Sequence, residues 1–484
     1  MSPACHDRSA NSEMKVATLR MGAWHDERNH VLTFPRGWDV FVAEPQDGPQ
    51  IDESQIDHAF AHPVGTPTLR DLATGRSSAV VVVDDLTRPT PAHRFLPRLV
   101  AELRSGGIPE DRIDFLIGAG AHRPMTDGEV RQKLGSEIHH RHRVFQHDFM
   151  SRDLRFVGWV EAGPVYLNRH FLDADLRICV GAVIPHGEAG FGGGAKMVVP
   201  GVAGRLTIAH LHGGLPPRGS GVVENDNGQL DRRGWAEAVA RQVGVHAVVC
   251  CVINSRRELA GLYVGDLVQA HRAAARHAAR IGRTCLPRDI AERAKVVVVN
   301  AYPLDTDPIQ MGKSISIARE CTPEVTIVVN AASDGVFYHG MGMGSGLSWR
   351  RLLRNVPGWL CSPASQQAWL VGLRRVASQP RLAARLCYFS LNHLSFSDFL
   401  RNDGRIGRSK PGAGSDKANA NPLVFSPHFP EWALHRKYPR AALFRDWSVL
   451  AETLEKRLGS ARVLVFPCAP LQLVEFAQEK PNAP

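Results

Sequence analysis

Short β-branched runs recur along the chain, separated by segments in which apolar positions follow a helical spacing. The runs predict strands at 79–83, 113–117, 176–184, 246–252, 296–300, 325–330 and 463–466. Helices are expected at 92–105 and 266–281, the second with Leu267, Val268, His271, Ala274 and Ala275 at helical spacing. Strands alternating with amphipathic segments give an α/β class: mainly parallel sheets flanked by helices. Sites in such folds form at the carboxyl ends of the strands.

At 484 residues the chain exceeds one ordinary domain. The long helix ends near residue 282, a connector RTCLPRD follows, and a new strand begins at Lys295. Two lobes are expected, 1–285 and 286–484, with the active site in the cleft between them. Residues 402–422 are rich in Gly, Asn, Ser and Pro with almost no apolar content, which reads as a flexible insertion in the second lobe.

Composition narrows the functional classes. Hydrophobic residues at 44% and charged residues at 22% exclude a disordered or fibrous chain. The longest apolar runs fall far short of the roughly 18 to 20 residues of a membrane-spanning helix. The N-terminal residues lack the apolar core of a secretory signal, so a cytoplasmic location is expected. Nine cysteines without CxxC spacing read as reduced thiols and exclude zinc-finger chemistry. The excess of 58 Lys and Arg over 48 Asp and Glu, a net +10, favours anionic partners. The densest basic patch, HHRHR at 139–143, lacks interleaved aromatics and reads as a solvated face, leaving nucleic-acid binding as a secondary possibility.

Candidate chemistry gathers after three strands. Asp84-Asp85-Leu86-Thr87-Arg88-Pro89 offers two acids, a hydroxyl and a guanidinium, with a capped turn as the bland alternative. Gly118-Ala119-Gly120-Ala121-His122-Arg123 couples small residues to a histidine. Residues 185–196, PHGEAGFGGGAK, hold five glycines in eight positions before a lysine, a backbone free to lie against a ligand, and the lysine suggests phosphate or covalent chemistry. Met197 stands where a Walker A loop needs Ser or Thr, Asp307 stands where GKS at 312–314 needs its leading glycine, and GMGMGSG at 340–346 lacks dinucleotide spacing. His210 and His212 alternate as in an extended segment, so one of them should face a given ligand. In the second lobe Tyr302-Pro303-Leu304-Asp305 precedes Gln310 and Lys313, three apart and on one face if a helix starts there.

In order along the chain, DDLTRP, GAHRPMT, PHGEAGFGGGAK with a downstream PG, a histidine sixteen residues past the lysine, YPLD with Gln310 and Lys313, and QQAW at Trp369 resemble the lactate racemase family, enzymes that use a nickel-pincer nucleotide. The resemblance spans about residues 79–375, and the Trp369 match is the loosest. Gly192 departs from it, standing where many relatives have serine. The segment from about 376 onward matches no motif and leaves the accepted 2-hydroxy acid open.

The resemblance implies that Lys196 bonds the cofactor, a pyridinium-3-thioamide-5-thiocarboxylic acid mononucleotide with nickel, through a thioamide, and that His212 ligates the nickel. Asp85, Thr87, Gly193 and Gly194 would lie against the cofactor. His122 and His186 would be the acid/base pair, and Arg88, Gln310, Lys313 and Trp369 would hold the substrate. The implied partners are a small 2-hydroxy acid and the cofactor-synthesis enzymes that load the protein. An imidazole beside a sulfur–carbon–sulfur chelate suits four-coordinate nickel. One histidine would take the hydroxyl proton as the α-hydrogen leaves as hydride, and return to the other face of the planar keto acid would invert the centre. A nucleotide-dependent transferase using Lys196 for phosphate, and a non-enzymatic nucleic-acid binder, are the alternative readings.

Overall fold

Runs that are apolar at every position need cover on both faces, and the computed structural model gives it in two six-stranded sheets. The structure describes residues 15–330 apart from 162, 220, 222–230, 307 and 322, and residues 422–477 apart from 430, 432, 433, 436 and 437. The first sheet has the order Leu259–Gly265, Ala247–Ile253, Leu176–Ala182, Ala79–Val83, Ile113–Ile117, Val144–Gln146, parallel except at the first pair. The second has Ala442–Phe444, Leu423–Phe425, Val325–Val329, Val296–Asn300, Arg462–Phe466, Asp39–Val42, parallel throughout.

Alternate side chains of one strand enter different cores. Ala79, Val81 and Val83 join a cluster with Leu96, Leu99 and Leu103 of the helix Leu96–Ser105. Val80 and Val82 face the opposite cluster, with Ala270, Ala274 and Ala278 of the helix Gln269–Gly282. In the second sheet Val297 and Val299 pack with Met311 and Ile315 of the helix Pro308–Ala318. Val296 and Val298 pack under Leu450 and Leu454 of the helix Trp447–Leu458 and under the hairpin Val16–Met21/Arg28–Thr33. Each such valine contributes about 1.5–3 kcal/mol by leaving water. Among the described residues no helix is long and apolar enough to cross a membrane.

Strand order decides where the site lies. In the first sheet the chain moves outward from Ala79–Val83 on one side and returns to its other side at Leu176–Ala182. In the second it moves outward from Val296–Asn300 and returns at Arg462–Phe466. Each return opens a crevice beyond the carboxyl ends of two neighbouring strands.

Three local expectations are revised. The 92–105 helix is a 3-10 turn, Ala92–Arg94, followed by Leu96–Ser105. The expected connector is partly a strand, Arg283–Leu286, paired in parallel with Leu473–Phe476. The segment of His210 and His212 is helical, Arg205–Gly213, not extended. The HHRHR patch is solvated and paired to acids except at His142, which is buried against Ile113 O; His139 meets Asp127, Arg141 meets Glu110 and Glu137, and Arg143 meets Asp114.

Candidate active site

The two crevices open into one cleft of about 940 Å³. Asp85, Thr87, Arg88, His122, His186, Gly193, Lys196, His212, Gln310 and Lys313 all line it. Gly194 lies behind the wall, where a Cβ would meet the His271 ring at 2.8 Å. Trp369, the 340–346 glycines and all of the 402–422 insertion but Pro422 lie outside the described residues.

After the strand Ala79–Val83, Asp85 is buried, and its Oδ2 lies 2.6 Å from His122 Nδ1. Thr87 donates its backbone N–H to Asp85 Oδ1 at 2.9 Å. Burial alone would raise the Asp85 pKa, but the His122 ring, hydrogen bonds from His122 and Thr87, and the Arg88 charge outweigh it and hold the carboxyl below the usual range. An ionised carboxylate only accepts, so His122 Nδ1 donates, and in the neutral ring the lone pair lies on Nε2.

The second histidine is set differently. His186 Nδ1 accepts the Glu188 backbone N–H at 3.2 Å, which puts the hydrogen of the neutral ring on Nε2. Burial, then the charges of Lys196, Lys313, Arg88 and Arg233, push its pKa well below the ordinary value. In their neutral forms the two rings thus present opposite proton inventories, an acceptor at His122 and a donor at His186.

Lys196 ends the glycine loop in a 3-10 turn, Gly194–Met197. Burial, followed by the Arg233 and Arg88 charges, lowers its amine to about 7, with Glu188 opposing. A substantial neutral fraction near pH 7 makes it a nucleophile, as burial does for other functional lysines.

On the helix Arg205–Gly213, residues two apart point about 200° apart, so one histidine of the pair faces the cleft, as an extended segment would also require. His212 does. Its Nδ1 donates to Ile208 O at 3.1 Å, leaving Nε2 3.6 Å from Glu188, whose other oxygen meets Arg232 at 2.8 Å. Burial and the Lys196 charge lower the His212 pKa to about 4, so its ring is neutral near pH 7. His210 packs against Trp235, ring centroids 5.0 Å apart.

Across the cleft Gln310 and Lys313 share a face of Pro308–Ala318, and Gln310 Oε1 accepts from Arg88 Nη1 at 3.2 Å, joining the two walls. Asp305 is redirected from the cleft: its carboxylate accepts the N–H groups of Gly22 at 2.7 Å and Ala23 at 3.2 Å, and burial raises its pKa to about 6. Tyr302 donates its hydroxyl hydrogen to Glu27. The YPLD segment therefore fastens the N-terminal turn.

Among the described residues, no group of three or more His, Cys, Asp or Glu side chains could hold a metal ion. A metal at His212 Nε2 would draw its other ligands from a bound group. The neutral imidazole, the nucleophilic amine and the glycine backbone on one cleft fit a tethered nucleotide carrying such ligands.

Comparison with known proteins bears on this arrangement. Residues 26–219 match the family model of the lactate racemase N-terminal domain. That part of the chain is similar to the lactate racemases. The lactate racemase of Lactiplantibacillus plantarum is 28% identical over 305 residues, 60% of this chain and 69% of that protein. The lactate racemase of Thermoanaerobacterium thermosaccharolyticum is 27% identical over 299 residues, 60% and 68% respectively. The solved lactate racemase apoprotein from the latter organism superposes with a TM-score of 0.63 at 19% identity, over 95% of this chain and all of that one. A Thermotoga maritima protein gives 0.56 at 18%, over 89% and 100%. These structural likenesses show the fold.

Sequence reasoning missed three parts of this cleft. Arg233 is buried, and its guanidinium donates to the carbonyls of Ala189, Phe191, Gly192 and Gly193. Lys133 is fully buried and holds Asp84 at 2.6 Å, Asp85 O at 3.1 Å and Arg88 O at 2.9 Å. Ala469, Pro470, Gln472, Leu473 and Val474 line the wall after the Arg462–Phe466 strand. The strand-end rule would have found the last group; nothing local marks the other two.

Two outcomes follow. Arg233→Met leaves four loop carbonyls without their cation and should destabilise the protein by about 3–5 kcal/mol in urea denaturation. Amine-directed labelling of Lys196, read by peptide mass spectrometry, should switch on with a midpoint at about pH 7, protonated and inert below, neutral and reactive above. A midpoint near 10 would contradict the described electrostatics.

Proposed function

We propose that this protein inverts the C2 centre of a small 2-hydroxy acid, using a nickel-pincer nucleotide tethered to Lys196. The observation that carries the reading is the pairing, across one cleft, of an acceptor imidazole at His122 and a donor imidazole at His186, beside a nucleophilic amine and a cationic clamp. The names and sequences of the related lactate racemases support it.

When bound, the nucleotide supplies a hydride acceptor, so the α-carbon need not become a carbanion beside a carboxylate. The remaining tasks belong to the chain. Lys196 forms the tether, and His212 Nε2 is the nitrogen offered to nickel. Arg88, Gln310 and Lys313 hold the substrate carboxylate, Arg88 as a planar fork and Lys313 as a point charge. His122 takes the hydroxyl proton on Nε2, and the Asp85 carboxylate stabilises the imidazolium that results.

His186 serves the opposite orientation of the substrate hydroxyl. Its pKa is held down partly by Arg88, Lys313 and Lys196. A bound carboxylate offsets the first two charges, and tethering removes the third. Loading and substrate binding thereby remove three of the charges that lower this ring's pKa, while burial, the largest cause, still lowers it. In this reading the body within residues 1–285 carries the tether and both histidines, while that within 286–484 closes over the substrate. The enzymes that make the nucleotide are the required partners, and the cytoplasm is the setting.

Intact-mass and metal analysis of protein co-expressed with the cofactor-synthesis enzymes should show one covalent adduct with nickel. Lys196→Ala should lose the adduct. His122→Ala should keep it while lactate racemisation, followed by chiral chromatography, falls about 10²–10⁴-fold. Full racemisation by Lys196→Ala would sink the proposal.

A further inference from the structure

The turn between the first two strands touches both halves of the cleft. Its Gly22 and Ala23 N–H groups donate to Asp305, just ahead of the helix that carries Gln310 and Lys313. Its Trp24 ring has the Lys133 ammonium 5.0 Å and the Arg257 guanidinium 4.3 Å from the centroid. The Trp24 carbonyl accepts Gln132 Nε2 at 2.7 Å. Lys133 in turn binds Asp84 and the carbonyls of Asp85 and Arg88, both ends of the turn that presents Arg88.

This turn is held in an unfavourable geometry. Gly22 has φ +85°, and a Cβ there would meet His25 O at 2.5 Å. Trp24 and Asp26 adopt φ +72° and +49°, a left-handed region unfavourable to side-chain-bearing residues. Among the described residues, the buried Trp24 indole N–H has no hydrogen-bond partner. A residue chosen for packing alone would avoid the orphaned donor, since leucine or phenylalanine fills a core without one. What tryptophan adds is the most cation-attracting ring among side chains, placed beside a cation that fixes the Arg88 turn.

We propose that Trp24 is a positioning residue for the substrate carboxylate. It binds Lys133 on the first wall while its own turn is fastened to Asp305 on the second, so it sets the spacing of Arg88 against Gln310 and Lys313. This rests on reading those three side chains as the carboxylate clamp.

The test uses the full-length protein without cofactor, titrated calorimetrically with glycolate, an achiral 2-hydroxy acid that racemisation cannot change. Trp24→Ala should bind glycolate about tenfold more weakly, and Trp24→Phe, which keeps a ring face, should stay within about threefold of the wild type. Gln132→Ala, at an exposed side chain, should weaken binding in the same direction. Attachment at Lys196, read by intact mass, should be unchanged in all three, and in loaded enzyme the KM should rise while kcat holds.

Wild-type binding matched by Trp24→Ala would overturn the positioning role alone. Trp24→Phe as weak as Trp24→Ala would overturn the ring–cation basis. Should Trp24→Ala fail to fold, unchanged affinity in Gln132→Ala overturns the proposal. A wild type that takes up no glycolate would instead remove the carboxylate clamp on which it rests.

Discussion

A loop buried in the wall of a cleft cannot pair its own carbonyls, and that constraint governs the rest of this structure. The first sheet ends in two such loops, and each is completed by a cation from a distant helix. Arg233 gathers four carbonyls of the glycine loop, and Lys133 gathers two of the Asp85–Arg88 turn. Desolvating a guanidinium or an ammonium costs several kcal/mol, recovered only where several acceptors converge. The same charges then act on the chemistry. Arg233 helps hold Lys196 and His186 short of protons, so one residue shapes the loop and prepares its lysine.

Much of the fold was legible because its strands are uniformly apolar. Ala79–Val83, Ile113–Ile117 and Val296–Asn300 fall where their runs of valine and isoleucine place them. Edge strands such as Val144–Gln146 and Asp39–Val42 carry no such signature, since they are short and only partly covered. The alternation of His210 and His212 suggests an extended segment, but the helix Arg205–Gly213 prevails because Thr207, Ile208 and Leu211 bury one helical face. The cleft residues of the first sheet were legible as strand-end loops. Lys133 and Arg233 were not, because a cation inside an amphipathic helix reads as solvent-facing until tertiary contacts reverse it.

The cleft also explains why a site with residues from 84 to 474 is one site. Each sheet reverses its direction of growth once, and both reversals face the same space. The first contributes acid, base, amine and imidazole; the second contributes an amide, a further amine and the loop after Arg462–Phe466. Arg88 and Gln310 meet across it, so the guanidinium that lines the cleft already touches the opposite wall.

The second sheet takes its outermost strand from the other end of the polypeptide: Val40 aligns with Val463, and Trp38 donates its indole N–H to Gly459 O. During synthesis that early segment must wait, unpaired, while the entire first sheet emerges and assembles ahead of it. Closure of the second body is thus a late, long-range event. A newly made chain would possess Lys196, His122 and His186 in place before the wall opposite them exists.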